Sequence, residues 1–465
     1  MIIRSLDVGP IQGWTTQTEV RLWGRGHRHT LDGRPLRTFG VCQLRKANGQ
    51  IVNRVFKMRS HFDMTGIAQF DGLTSATTYD YRMGYVLAEL EQAEMEAALQ
   101  VAELQWQSPD WKPIRTAPAA TSEIGFSFGS CRYLSRFEWG DERGDKTFRE
   151  ILDRATTEPN DFFLMVGDQI YADDFNVLDP DTKLEEFWEK YRNAFSQPHL
   201  RELMSRTPTY MILDDHEITN DWDADRRLPE NDPKNYNRRL FKRAMQAYES
   251  YQFIHSPGFR PEGRRGMSDI PSAYYFSYRV GNSDFFVLDT RTERSPGSGY
   301  MLAPEQEKAL LDWLDASVAA YRFIVTSVPF FPEPKKASDD KWGGYHAQRA
   351  RILNHIVDNQ IARVTFLSGD IHSSGCATLV REDVPSHNIH QVISSPFWWP
   401  ASPGNDKYFR RGSLVHDSDT PFKVTSARYF TDRDNWVRVS TVEDGLKVVC
   451  RDRKGAQLAS HTLRF

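Results

Sequence analysis

A layered α/β domain with two sheets, preceded by a smaller β-rich module, is the fold class this sequence predicts, on three observations. First, the apolar runs FFLMV before Gly167-Asp168, YMIL before Asp214-Asp215 and VTFLS before Gly369-Asp370 read as buried strands that stop at acidic steps. Near-continuous apolar runs mark strands covered on both faces, and α/β folds bind ligands at the carboxyl ends of such strands. Second, helix-like and strand-like segments alternate from about residue 119 onward. Third, residues 1–118 carry short runs broken by Gly, Asn-Gly and Asp-Gly steps, the punctuation of a small β-sandwich. The domain boundaries are accordingly drawn at 1–118 and 119–465. Asp168, Tyr171, Asp215, His216, Asp370 and His372 are expected together at one edge of one sheet.

In the first region TEVRLWGRG, FGVCQLRK, QIVNRVFKMR, GIAQFDGL and TYDYRMGYVL read as strands, and ELEQAEMEAALQVAELQWQ as an inserted helix, from its Ala, Glu, Leu and Gln content, or else a charged strand pair. PIRTAP marks the exit, since its prolines disfavour continuing either element. EIGFSFGSC then gives a strand and tight turn, DKTFREILDRAT a helix and DFFLMVGD a strand. EEFWEKYRNAF is helical, RELMSRTPTYMILDD a helix and strand, and NYNRRLFKRAMQAYESYQF a long amphipathic helix. AYYFSYRVG and DFFVLDTR form a hairpin over a Gly-Asn turn, at a sheet edge or in a second sheet. PEQEKALLDWLDAS, RFIVTSVPF, HAQRARILNHIVDNQ and RVTFLSGD alternate helix and strand, and NIHQVISSP and NWVRVSTVEDGLKVVCRD complete the strands.

The formal charge of −4 argues against a non-specific nucleic-acid binder or a basic membrane-surface protein. No stretch approaches the length of an apolar membrane span. Cys42, Cys131, Cys376 and Cys450 are scattered, with no CxxC spacing, and the first residues show no apolar signal-type run. A cytoplasmic, reducing setting is therefore expected.

The acidic strand ends carry the chemistry. Asp168 can bridge two cations through its two oxygens, or simply cap the following helix. Tyr171 can ligate as a phenolate or pack under the turn, while Asp173 and Asp174 are expected to face solvent or cap the loop. Asp215 beyond YMIL is either a ligand, with His216 placed to pass a proton to a phosphate oxygen or leaving group, or part of an acidic turn satisfied by Asn220 and nearby backbone. If the backbone stays extended, Asp370 and His372 share a face and reach one metal site; otherwise they are a helix cap beside a core histidine. Cys131, at the end of FGSC, is either a ligand beside Asp168 or a buried packing thiol. With Tyr171, its thiolate favours a ferric ion or zinc over magnesium. Oxygen donors with imidazole mixed in point to metal-assisted hydrolysis. Trp398 and Trp399 either wall a cleft or pack an interface.

FGSC at 128–131, VGDQIYAD at 166–173, LDDHEITND at 213–221, LDTR at 288–291, KWGGY at 341–345 and LSGDIHSS at 367–374 together resemble the PhoD-like alkaline phosphatase and phosphodiesterase family of metallophosphatases. The resemblance implies a four-layer αββα metallophosphatase domain behind a small β-sandwich. It also implies metal-dependent hydrolysis of a small phosphate monoester or diester. Cys131, Asp168, Tyr171 and His372 then resemble ligands of an Fe3+ centre. Asp168, Asp215 and Asp370 resemble acidic ligands shared with or adjacent to Ca2+ sites, with Zn2+ or Mn2+ as the alternative ions. His216 falls at the position of a histidine that faces the phosphate, and Arg291 either touches the phosphate or forms a structural salt bridge. Gln169 departs from the commoner GDYIY pattern, which bears on packing or substrate access. The alternative function is a catalytically inactive metal-binding scaffold or binding protein, which loss of Asp168 or Asp370 would have favoured; both are present.

Overall fold

Phe162–Val166, buried at every position, pairs in parallel with Gly125–Gly129 on one side and Thr209–Ile212 on the other. The computed structural model describes residues 1–31, 33–134, 141–174, 180–259, 273–333, 338–401, 404–414 and 421–465. In it this parallel trio continues through the antiparallel strands Asn435–Val442, Gly445–Asp452 and Gln457–Arg464 into a six-stranded sheet. A second sheet of eight strands begins with the expected hairpin, Phe276–Val280 and Ser283–Val287, at its edge. Tyr321–Val325, Val364–Ser368 and Val384–Ile393 then extend it in parallel, and Ser374–Arg381, Phe422–Thr431 and Gly412–Ser413 finish it antiparallel.

The sequence's wealth of aromatic residues is spent largely where these sheets meet. Phe126 lies 5.5 Å from Phe323, Phe162 lies 5.1 Å from Phe285, and Tyr210 stacks on Tyr278 at 4.0 Å between ring centroids. Each fully buried Phe stabilises the fold by roughly 1.5–3 kcal/mol, so the shared core fixes one sheet's acid-bearing ends against the other's. The opposite face of the eight-stranded sheet buries Ile324 and Phe366 against Leu310 and Leu314 of helix Pro304–Ala316 and Ile352 and Ile356 of helix His346–Asp358. On the other side, Phe148 of helix Asp141–Arg154 packs on Phe163 at 6.1 Å. The architecture is α/β, as the sequence predicts.

In the first region the strands Val8–Thr15, Val20–Arg25 and Thr65–Phe70 form a three-stranded sheet. A second sheet is built on Ile2–Ser5, Thr78–Ala88, Arg37–Arg45 and Ile51–Met58. Leu22 and Ala68 of the first sheet share a core with Leu44 and Tyr81 of the second. Gln92–Val101 is the inserted helix, and its start is closed by the Glu94 carboxylate accepting from the Glu91 backbone N–H at 2.7 Å. This region docks on the later helices through Gln12 and Tyr81, whose side chains both donate to the Ser205 carbonyl, at 2.8 and 2.7 Å.

Several expectations need correction. PIRTAP is not wholly an exit, because Lys112–Arg115 pairs antiparallel with Thr78–Ala88. Pro113 is tolerated because, among the described residues, that strand has Thr78–Ala88 as its single sheet neighbour. Ser374–Arg381, Phe422–Thr431 and Gln457–Arg464 are strands that short apolar-run reading passed over, since polar residues interleave them. The site residues also do not share one sheet edge. Asp168 and Asp215 follow strands of the six-stranded sheet, and Asp370 and His372 follow Val364–Ser368 of the eight-stranded one.

Candidate metal centre

Four site residues sit in the left-handed backbone region: Cys131, Asp168, Asp370 and His372 have φ of 57, 55, 66 and 48°. Residues other than glycine adopt this region rarely, and clusters of them accompany functional sites. The turns are held by Glu217, fully buried, which the sequence reading gave no role. Its carboxylate accepts the backbone N–H groups of Gln169 at 2.7 Å, Asp214 at 2.9 Å and Asp168 at 3.3 Å, fastening two strand ends together. Gly167 makes that approach possible: at φ +102° a Cβ there would lie 2.5 Å from the Asp214 Cβ.

At the ends of neighbouring strands of the six-stranded sheet, the Cys131 Sγ lies 3.3 Å from Asp168 Oδ2 and the Tyr171 hydroxyl 3.2 Å from the same oxygen, and across the gap between the sheets that hydroxyl lies 3.4 Å from His372 Nε2. Ligand atoms of Cys131, Asp168 and His372 fall within 4.8 Å of one another, as do those of Asp168, Asp215 and His216, and of Asp214, Asp215 and Asp370. The predicted residues therefore come together, but Asp370 and His372 join different groups. With both in the left-handed region the backbone is not extended there, so the expected shared face does not form.

Asp168 is 2% exposed, and its Oδ1 has no hydrogen-bond partner. Burial pushes its carboxyl well above the usual range, more than nearby His216 draws it down. Burial, then the charge of Asp168, likewise raises the Cys131 thiol and the Tyr171 phenol far above their ordinary values. Burial lowers His372 to about 3, which leaves a neutral imidazole with a free lone pair. Burial thus favours the protonated forms of Asp168, Cys131 and Tyr171. A bound metal ion is the counter-charge that would deprotonate them, and a buried set of thiol, phenol, carboxyl and neutral imidazole fits one.

His216 has a different partner. Its Nδ1 sits 2.9 Å from both oxygens of Asp173, which also accepts from the Asn220 backbone N–H at 2.6 Å. Burial opposes the charge on His216, but Asp215, Asp168 and Asp173 outweigh it and hold its pKa well above the ordinary value. Asp173 and Asp174 are thus not solvent-facing: both are buried, and Asp174 pairs with Lys190 at 2.7 Å. His216, Asn220 and Lys190 lie 16 or more positions away in the chain, beyond the reach of any local pattern.

Arg291 is fully buried, its Nε donates to Asp214 at 2.6 Å, and its Nη1 pairs with Asp340. Asp214 also accepts from Ser327 at 2.7 Å. Of the two readings open for Arg291, this geometry supports the salt bridge. Lys341, from the KWGGY segment, contacts both Asp370 and Asp340. Gln169, 1% exposed, donates to the Ile212 carbonyl at 3.0 Å, so the departure from GDYIY concerns packing between strands. Trp398 is buried, whereas half-buried Trp399 covers His372 at 3.6 Å between ring centroids. A cavity of about 500 Å³ opens beside Tyr171, lined by Leu134, Ile170 and Lys190.

A family model described as PhoD-like phosphatase matches residues 126–407, more than half of the chain. Alkaline phosphatase D of Bacillus subtilis (strain 168) is 25% identical over 294 residues, which are 57% of this chain and 48% of that protein. The chain thus matches about half the length of this curated relative. A solved structure of PhoD superposes with a TM-score of 0.70 at 18% identity, covering 99% of this chain and 93% of that one, which shows a related fold.

Proposed function

The chain belongs to the PhoD-like phosphatase family, and from that premise we propose that it hydrolyses phosphate esters at the centre formed by Cys131, Asp168, Tyr171 and His372. The observation that carries this reading is Asp168, a buried carboxylate with an orphaned oxygen beside a thiol and a phenol. Thiolate and phenolate donors together suit a ferric ion, with zinc or manganese as the alternative. The ion, when bound, supplies positive charge against the phosphoryl oxygens and lowers the pKa of a nucleophilic water.

The chain's own residues do the rest. Asp173 fixes the His216 ring through Nδ1, so that a proton held on Nε2 can pass to the leaving oxygen. Arg291 acts at one remove from substrate, holding Asp214 and, at 3.5 Å, lying against Asp215. The all-oxygen group Asp214–Asp215–Asp370 does not fit a calcium ion in this arrangement, because the Lys341 ammonium already contacts Asp370.

We read the two sheets and their flanking helices as a four-layer αββα domain, with residues 1–118 as a β-sandwich module. No helix among the described residues is long and apolar enough to cross a membrane. The four cysteines are all free, which supports placing the protein in a reducing compartment such as the cytoplasm.

Two expected results test the proposal. A panel of phosphomonoesters and phosphodiesters should show turnover of at least one class by metal-loaded protein, falling to background after chelation. No turnover of any ester by fully loaded protein would overturn it. If Cys131 and Tyr171 bind a ferric ion, charge transfer should colour the protein, and Cys131→Ser should weaken or shift that band while the fold survives. An unchanged spectrum and metal content in Cys131→Ser would assign the thiol to packing.

A further inference from the structure

We propose that the Lys341 ammonium takes the place of a second, calcium-type cation in this centre, so that the all-oxygen half is charged by the chain itself. The inference rests on the metal-centre reading above and deepens it by stating how the other half of the site is neutralised.

The two halves differ in their cations. Asp214 meets Arg291 at 2.6 Å, and Asp215 meets it at 3.5 Å. Asp340 is held by Arg291, by Arg294 at 2.9 Å and by Lys341 at 3.1 Å, and Asp370 is held by Lys341. With Asp221, an oxygen of which lies within 4.8 Å of oxygens of Asp215 and Asp340, five carboxylates thus face three side-chain cations. Asp168, by contrast, pairs with no Lys or Arg among the described residues and keeps an orphaned oxygen. The half that carries thiol and phenol has only the His216 ring beside Asp168 and no Lys or Arg among the described residues, whereas the half made only of carboxylates holds three side-chain cations.

Lys341 is delivered to its place by a firmly packed turn. The next residue, Trp342, is fully buried, donates from Nε1 to Thr326 at 3.2 Å and packs on Phe330 at 4.5 Å. The Tyr345 hydroxyl closes the same turn on the Asp339 carbonyl at 2.6 Å. The Lys341 side chain is only 17% exposed, which leaves it little room to swing away. Calcium requires six to eight oxygen ligands. An ion bound to Asp370 would have to displace Lys341 or lie against its ammonium in a partly buried pocket, where like charges repel strongly.

Calcium titration by calorimetry, on protein that retains its tightly bound metal, tests this directly. Wild-type protein should show no saturable calcium site, and Lys341→Met should gain one at least roughly ten-fold tighter than any residual wild-type uptake. Saturable calcium binding by the wild type that Lys341→Met leaves unchanged would overturn the inference. So would a Lys341→Met or Lys341→Gln protein of native circular dichroism that gains no site. Should both variants fail to fold, the wild-type isotherm decides alone: a stoichiometric calcium site overturns the assignment and its absence upholds it. Elemental analysis separates the two levels of failure. No tightly held ion in the wild type removes the metal-centre reading itself, whereas a retained ion with unaltered calcium uptake removes only the role of Lys341.

Discussion

Asp168→Asn is expected to strip most of the metal from the protein and to reduce phosphoesterase turnover by more than roughly 10²-fold, beyond what losing an outer partner of a metal site costs. The asparagine has nearly the same volume, so the strand end and its Glu217 clamp should survive. What disappears is the anionic oxygen that the Cys131 thiol and the Tyr171 hydroxyl both approach. Burial outweighs the attraction of the His216 ring at the Asp168 carboxyl, so substitution should leave thermal stability unchanged or raise it in the metal-free protein. Metals counted per chain, with turnover and melting temperature of metal-free protein, check all three. A variant that keeps its metal and activity would show that Asp168 only caps the following turn.

His216→Asn should behave differently. Its Nδ1 is fixed by Asp173, so the ring serves proton transfer more than metal assembly. Most of the metal should remain while turnover falls by roughly 10²–10⁴-fold, the usual scale for a positioned acid or base. The loss should shrink on esters with good leaving groups, which need less protonation in the transition state. Turnover on paired good- and poor-leaving-group esters measures this. Equal losses on both, with metal retained, would make His216 an electrostatic or binding group. Severe metal loss would make it a ligand.

The strand ends of this fold were legible in the sequence because burial on both faces forces unbroken apolar runs. Asp168, Asp215 and Asp370 stand out as the acids that stop them. Their division between two sheets was not legible. It depends on pairings such as Phe126 with Val439 and Leu367 with Val392, which hydrophobic pattern alone does not specify. Glu217 had no role and Asp173 read as a loop acid because Gln169 and His216, which they hold, lie more than 40 residues away in the chain. Lys341 sits in a recognised segment, but its contact with Asp370 joins a turn to a strand end 29 positions later. Cys131 lay between legible and not: its place after a strand was clear, and only the structure sets its sulfur beside Asp168.

Anomalous diffraction from crystals of the metal-loaded protein, recorded on both sides of the iron absorption edge, tests the central claim most directly. The expected result is a single strong peak within about 2.0–2.6 Å of Cys131 Sγ, Asp168, Tyr171 and His372, a range typical of thiolate, oxygen and imidazole ligands to protein-bound metals. A peak of zinc or manganese at the same place would change the ion and keep the centre. No peak among these four residues in fully loaded, active protein would contradict the account.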